Sequence, residues 1–161
     1  MKNSWIVNAS PLILLAKVGQ IHLLLDLTQE LVVPAAVAGE VQAGPASDPA
    51  GRWLRSEGAR WVQADLSVDP AIAAWDLGSG ETAVLNWASQ RRTFEAILDD
   101  RAARKCALIH RIPYRGTLGV ILAAKKAGLI PAAKPVCNQI VEAGLRIDAS
   151  VLQGALRLVG E

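Results

Sequence analysis

Soft metal ligands are scarce in this chain. It has two cysteines, Cys106 and Cys137, two histidines, His22 and His110, and no Cys-x-x-Cys pair. That leaves a tetrahedral zinc site poorly supported. Both cysteines lie in segments that read as helices, and two reduced thiols in a cytoplasmic protein are expected. Long apolar runs are also missing. No stretch reaches the roughly 18 residues of a membrane span, and the apolar segment from Leu12 to Leu27 is interrupted by Lys17, Gln20, His22 and Asp26. The opening Met1-Lys2-Asn3-Ser4-Trp5 leads into apolar residues broken by Asn8, Ser10 and Pro11, which is no signal-peptide core. A strong charge of one sign is absent: the formal net charge is +2. A basic surface would therefore have to come from clustering rather than from excess. The phosphate-cradling GxxxxGK[ST] loop does not occur, and there is no internal repeat or low-complexity tract.

What is present is apolar material in short, punctuated pieces. Hydrophobic residues make up 52% of 161 residues, enough for the core of a single domain spanning 1–161. Trp5-Ile6-Val7, Leu31-Val32-Val33, Arg60-Trp61-Val62 and Ala96-Ile97-Leu98 read as buried strands. Ile112-Pro113-Tyr114 reads as an edge strand, because proline donates nothing to a ladder. Helical segments separate them: Pro11 to Val18, Ile21 to Leu27, Pro34 to Gly44, Arg52 to Glu57, Glu81 to Gln90 with Ser79 as N-cap, and Arg101 to Arg111. Leu118 to Ala127, Val136 to Ala143 and Ser150 to Leu158 follow as helices. This alternation predicts a three-layer α/β/α domain with a central, mainly parallel sheet. Ligands of such folds bind beyond the carboxyl ends of the strands.

Polar residues fall at those ends. Asn8 and Ser10 follow the first strand, and Asp99 and Asp100 follow the fourth. Glu81 opens a helix, and Glu40 lies on the helix after the second strand. Oxygen-only donors suit Mg²⁺ or Mn²⁺, ions that also bind phosphate and activate water. Each residue has a plainer reading. Glu81 complements a helix dipole, Asp99-Asp100 cap the next helix, Asn8 forms a turn, Ser10 caps before Pro11, and Glu40 is a solvated glutamate. Glu40 is less easily dismissed, since it sits near the end of its helix that disfavours negative charge, although taken alone the solvated reading still leads. An adjacent acidic pair after a buried strand needs a cation or solvent to offset repulsion. Arg101, Arg104 and Lys105, like Arg91-Arg92 and Lys125-Lys126, are either phosphate contacts or a solvated helix face. Of the five tryptophans, Trp53 and Trp75 flank loop-like stretches where a partner could reach them.

Taken in order, four segments resemble the acid-bearing motifs of PIN domains. They are Ile6-Val7-Asn8-Ala9-Ser10-Pro11, Val33-Pro34-Ala35-Ala36-Val37-Ala38-Gly39-Glu40-Val41, Gly78-Ser79-Gly80-Glu81-Thr82 and Ile97-Leu98-Asp99-Asp100-Arg101. Gly116-Thr117-Leu118-Gly119-Val120 and Lys125-Lys126-Ala127-Gly128-Leu129-Ile130 resemble the same subgroup, one of predicted nucleic-acid-binding proteins related to VapC-type toxins. The resemblance implies a metal-dependent ribonuclease. Glu40, Glu81 and Asp99 or Asp100 would be metal-site acids holding Mg²⁺ or Mn²⁺, with Ser10 a supporting hydroxyl. It also implies RNA as substrate, homodimerisation and silencing by a small antitoxin. One departure stands out: the family usually has aspartate where this chain has Asn8. The missing charge leaves a second reading open, a catalytically weakened module that binds nucleic acid or an antitoxin.

Overall fold

In the computed structural model, which describes residues 3–161, five strands form one sheet in the order β3-β2-β1-β4-β5, and every pairing is parallel. The strands are β1 (Asn3–Val7), β2 (Thr28–Pro34), β3 (Val62–Gln63), β4 (Phe94–Ile97) and β5 (Tyr114–Arg115). Helices flank the sheet, giving the three-layer α/β architecture that the strand–helix alternation predicts. The central strand carries the most apolar run. Trp5, Ile6 and Val7 are buried, with Leu31 and Val32 beside them on β2 and Ala96 and Ile97 on β4. Burial on both faces is why these strands read as continuous hydrophobic runs rather than alternating ones.

Between β1 and β2 lie α1 (Ala9–Lys17) and α2 (His22–Asp26); α3 (Ala35–Gln42) and α4 (Pro49–Arg55) follow β2. The short α5 (Pro70–Ala73) precedes α6 (Ser79–Gln90), which packs across β1, β2 and β4. Then come α7 (Arg101–Ile109), α8 (Thr117–Lys126), α9 (Ala133–Glu142) and α10 (Ala149–Arg157).

Three local expectations are corrected. Arg60 and Trp61 belong to a 3-10 turn, Glu57–Trp61, and the third strand is only Val62–Gln63. The turn forms because Gly58 lies flat against the Trp53 ring, with no room for a side chain between them. That contact also buries Trp53, so it is not available to a partner. Ser79 is not the cap of α6. Gly78 holds that position without a side-chain bond, and Ser79 is the first helical residue. The edge strand lies one or two residues later than the proline suggests. Pro113 uses its carbonyl to accept from the Ala96 amide at 2.8 Å, and β5 then starts at Tyr114.

Chain order on the sheet reverses at β1: β2 lies on one side and β4 on the other. Such a switch point opens a crevice beyond the carboxyl ends of the two strands. Val7 pairs with Ile97 there, so Asn8 and the Leu98-Asp99-Asp100 segment leave the sheet side by side. Among the described residues, no helix is long and apolar enough to cross a membrane.

Candidate active site

The crevice is a cavity of about 500 Å³ whose lining includes Asn8, Ser10, Glu81, Asp99, Asp100 and Arg146. Four helices begin around it. Asn8 occupies the N-cap of α1 and Asp100 that of α7, Thr117 opens α8, and Glu81 lies in the first turn of α6. The positive ends of these helices offset part of the carboxylates' mutual repulsion.

Asp99 is the most firmly held acid. Its Oδ1 accepts the Thr117 backbone amide at 2.8 Å, and its Oδ2 accepts the Thr117 hydroxyl at 2.6 Å and the Ser10 hydroxyl at 3.1 Å. Gly116 makes this approach possible, since a Cβ there would lie 3.1 Å from Oδ1. Asp100 turns the other way and caps α7, accepting from the Ala103 amide at 2.9 Å. Asn8 makes no cap bond to α1. Its Nδ2 instead donates to Glu81 Oε1 at 3.3 Å, while its Oδ1 is buried without a partner. Buried polar atoms are rarely left so.

Glu40 is placed differently. It is not among the residues that line this cavity. Its Oε1 accepts the Gly80 amide at 3.0 Å and the Ser79 hydroxyl at 3.3 Å, so α3 lends its acid to the open N-terminus of α6. Its own helix disfavours a charge there, and the dipole of α6 receives it. Ser79, read from sequence as the cap, thus donates to a carboxylate from another helix. Arg101, Arg104 and Lys105 line a second cavity of about 1160 Å³ that shares Asp99, Asp100, Leu145 and Arg146 with the first. Arg104 lies over the Tyr114 ring, 5.1 Å from its centroid.

Two residues at the site escaped the sequence reading. Thr117 had a signal, a hydroxyl residue between Gly116 and an apolar helix, but its partner Asp99 is unreachable from local pattern. Arg146 had none, because it sits in the loop between α9 and α10.

A family model for the PIN domain matches residues 4–161 of the sequence. The chain belongs to the PIN domain family. No curated protein and no solved structure matches it. PIN domains are typically nucleases, and such nucleases usually use divalent metal ions. Among the described residues, no three His, Cys, Asp or Glu side chains cluster as a metal site. The donors present nonetheless fit Mg²⁺ or Mn²⁺: they are oxygen only, and Asn8, whose Oδ1 is buried without a partner, borders a cavity with two half-buried carboxylates, Glu81 and Asp99. Mg²⁺ is commonly held by one or two carboxylates, with waters filling its shell.

Proposed function

We propose that this PIN domain is a metal-dependent endoribonuclease that acts in the cytoplasm. The observation carrying the proposal is the unpartnered, buried Asn8 Oδ1, which sits with Glu81 and Asp99 at the switch point of the sheet. Glu81, Asp99 and Asn8 would hold the ion, with Asp100 at the rim and Glu40 acting through the start of α6. When bound, Mg²⁺ or Mn²⁺ supplies Lewis acidity to a phosphodiester and to a water. Ser10 and Thr117 fix the orientation of Asp99. Arg101 lies one helical turn before the adjacent Arg104 and Lys105 on α7, and the three border the adjoining cavity and hold RNA phosphates.

The deciding experiment is cleavage of structured and single-stranded RNA with Mn²⁺ or with chelator, comparing wild type and Glu81→Gln. Wild type should cut only with metal, and Glu81→Gln should lose most of that activity. A second reading, a module that binds nucleic acid or an antitoxin without cutting, is favoured by Asn8 standing where the family has an acid. Tight binding without metal-dependent cleavage would establish it instead. The toxin role, with a small antitoxin and a homodimer, fits the exposed apolar side chains Leu108 and Ile109 on α7, Val151 on α10 and Leu158 just after it. A strict monomer in sedimentation at high concentration would refute the dimer.

A further inference from the structure

The loop between α9 and α10 roofs both cavities, and it is built to aim one side chain. Residues 145–148 belong to neither helix nor strand, and all four border the basic cavity. Leu145 and Ile147 both enter an apolar seam among Leu118, Ile121, Cys137 and Ile140, too tight to admit water. The entry to the loop is fixed as well. Gly144 has φ +126, a conformation that side-chain-bearing residues rarely adopt, and the Leu145 amide donates back to the Ile140 carbonyl at 3.1 Å. Arg146, held between two apolar anchors, lines the carboxylate cavity and the basic cavity alike. It is exposed, and among the described residues it makes no hydrogen bond or ion pair, although Asp99, Asp100 and Asp148 share those cavities with it.

We infer that Arg146 is a phosphate clamp that seats an RNA strand where the basic cavity meets the carboxylates. The inference rests on the proposed ribonuclease reading and deepens it. Arg101, Arg104 and Lys105 grip the strand from the α7 side, and Arg146 grips it from the opposite roof. Its planar fork can take a phosphate bidentately, which a lysine cannot. The strand therefore enters from the α7 side and its phosphate passes under Arg146 to reach Glu81 and Asp99.

The test is binding of a fluorescein-labelled single-stranded RNA by anisotropy, in chelator and across a salt series, followed by cleavage with Mn²⁺. Arg146→Ala should weaken binding roughly tenfold, as loss of a charge-assisted contact does. It should also reduce the salt slope by about 0.7, the value for one phosphate on a single strand. Arg146→Lys should recover the salt slope but only part of the affinity. Arg157→Ala, an exposed α10 arginine outside both cavities, should change neither. If wild type binds and cuts RNA and Arg146→Ala matches it in affinity and slope, the clamp is refuted and the ribonuclease stands. If wild type neither binds nor cuts RNA, both fall together.

Discussion

Asn8 decides how much negative charge the cavity carries. An aspartate there would lose the amide hydrogen that now reaches Glu81 and would set two carboxylates against each other. Without metal, Asn8→Asp should cost on the order of 1 kcal/mol and lower Tm by about 2–4 °C in a domain of this size. Added Mn²⁺ should then raise the Tm of the variant by more than that of wild type, which differential scanning fluorimetry reads directly. Equal shifts in the two proteins would show that position 8 does not face the ion. Thr117 does its work on Asp99, through one backbone and one hydroxyl donor. Thr117→Val keeps the shape but removes the hydroxyl bond to a carboxylate, a loss of about 1.5–3 kcal/mol in urea unfolding. Thr117→Ser should recover most of it.

Helix ends govern the next level. α6 begins at Gly78 with no side-chain cap of its own, and Glu40 of α3 supplies the missing acceptor. The arrangement depends on Gly80, because a Cβ there would lie 2.9 Å from Glu40 Oε1. Gly80→Ala should therefore cost about 1 kcal/mol through loss of that cap. In a Glu40→Ala background the same change should be neutral or stabilising, since alanine favours a helix over glycine. A double-mutant cycle by chemical denaturation measures the difference. Additive effects would mean that the two residues do not meet. Because Glu81 follows Gly80 directly, loosening this start should also weaken any ligand held by Glu81.

For the whole molecule, burial is the dominant fact about its reactive groups. Cys106 and Cys137 are free thiols inside the core. Burial, helped by nearby Glu161, pushes Cys137 up from 9.0 to about 11, and burial with nearby Asp69 raises Cys106 as well. A folded chain that keeps its thiol protons while the unfolded chain sheds them loses stability as pH rises. Stability should thus fall between pH 9.0 and about 11, and a Cys137→Ala variant should show a flatter decline there. Thiol reagents at pH 8 should label the native protein slowly and the urea-unfolded protein at once. The sheet order adds a second property of the whole. Only the reversal at β1 brings residues on either side of it to one crevice.

The class of the fold was written in the sequence. Runs such as Trp5-Ile6-Val7 and Ala96-Ile97-Leu98, set between helical segments, could be satisfied only by a sheet covered on both faces, which is a parallel one. Position at strand ends likewise marked Asn8, Asp99 and Asp100 as neighbours of a crevice before any coordinates. Where each carboxylate finds its partner was decided by tertiary structure alone. Asp99 bonds to Ser10 and Thr117, 89 and 18 residues away, and Glu40 bonds across 40 residues to α6. The short third strand and the aim of Arg146 were hidden for the same reason. One depends on a tryptophan laid over a glycine, the other on two apolar anchors in a seam between helices. Local pattern reports which way a side chain faces on its own helix or strand, and nothing in it reports what that face will meet.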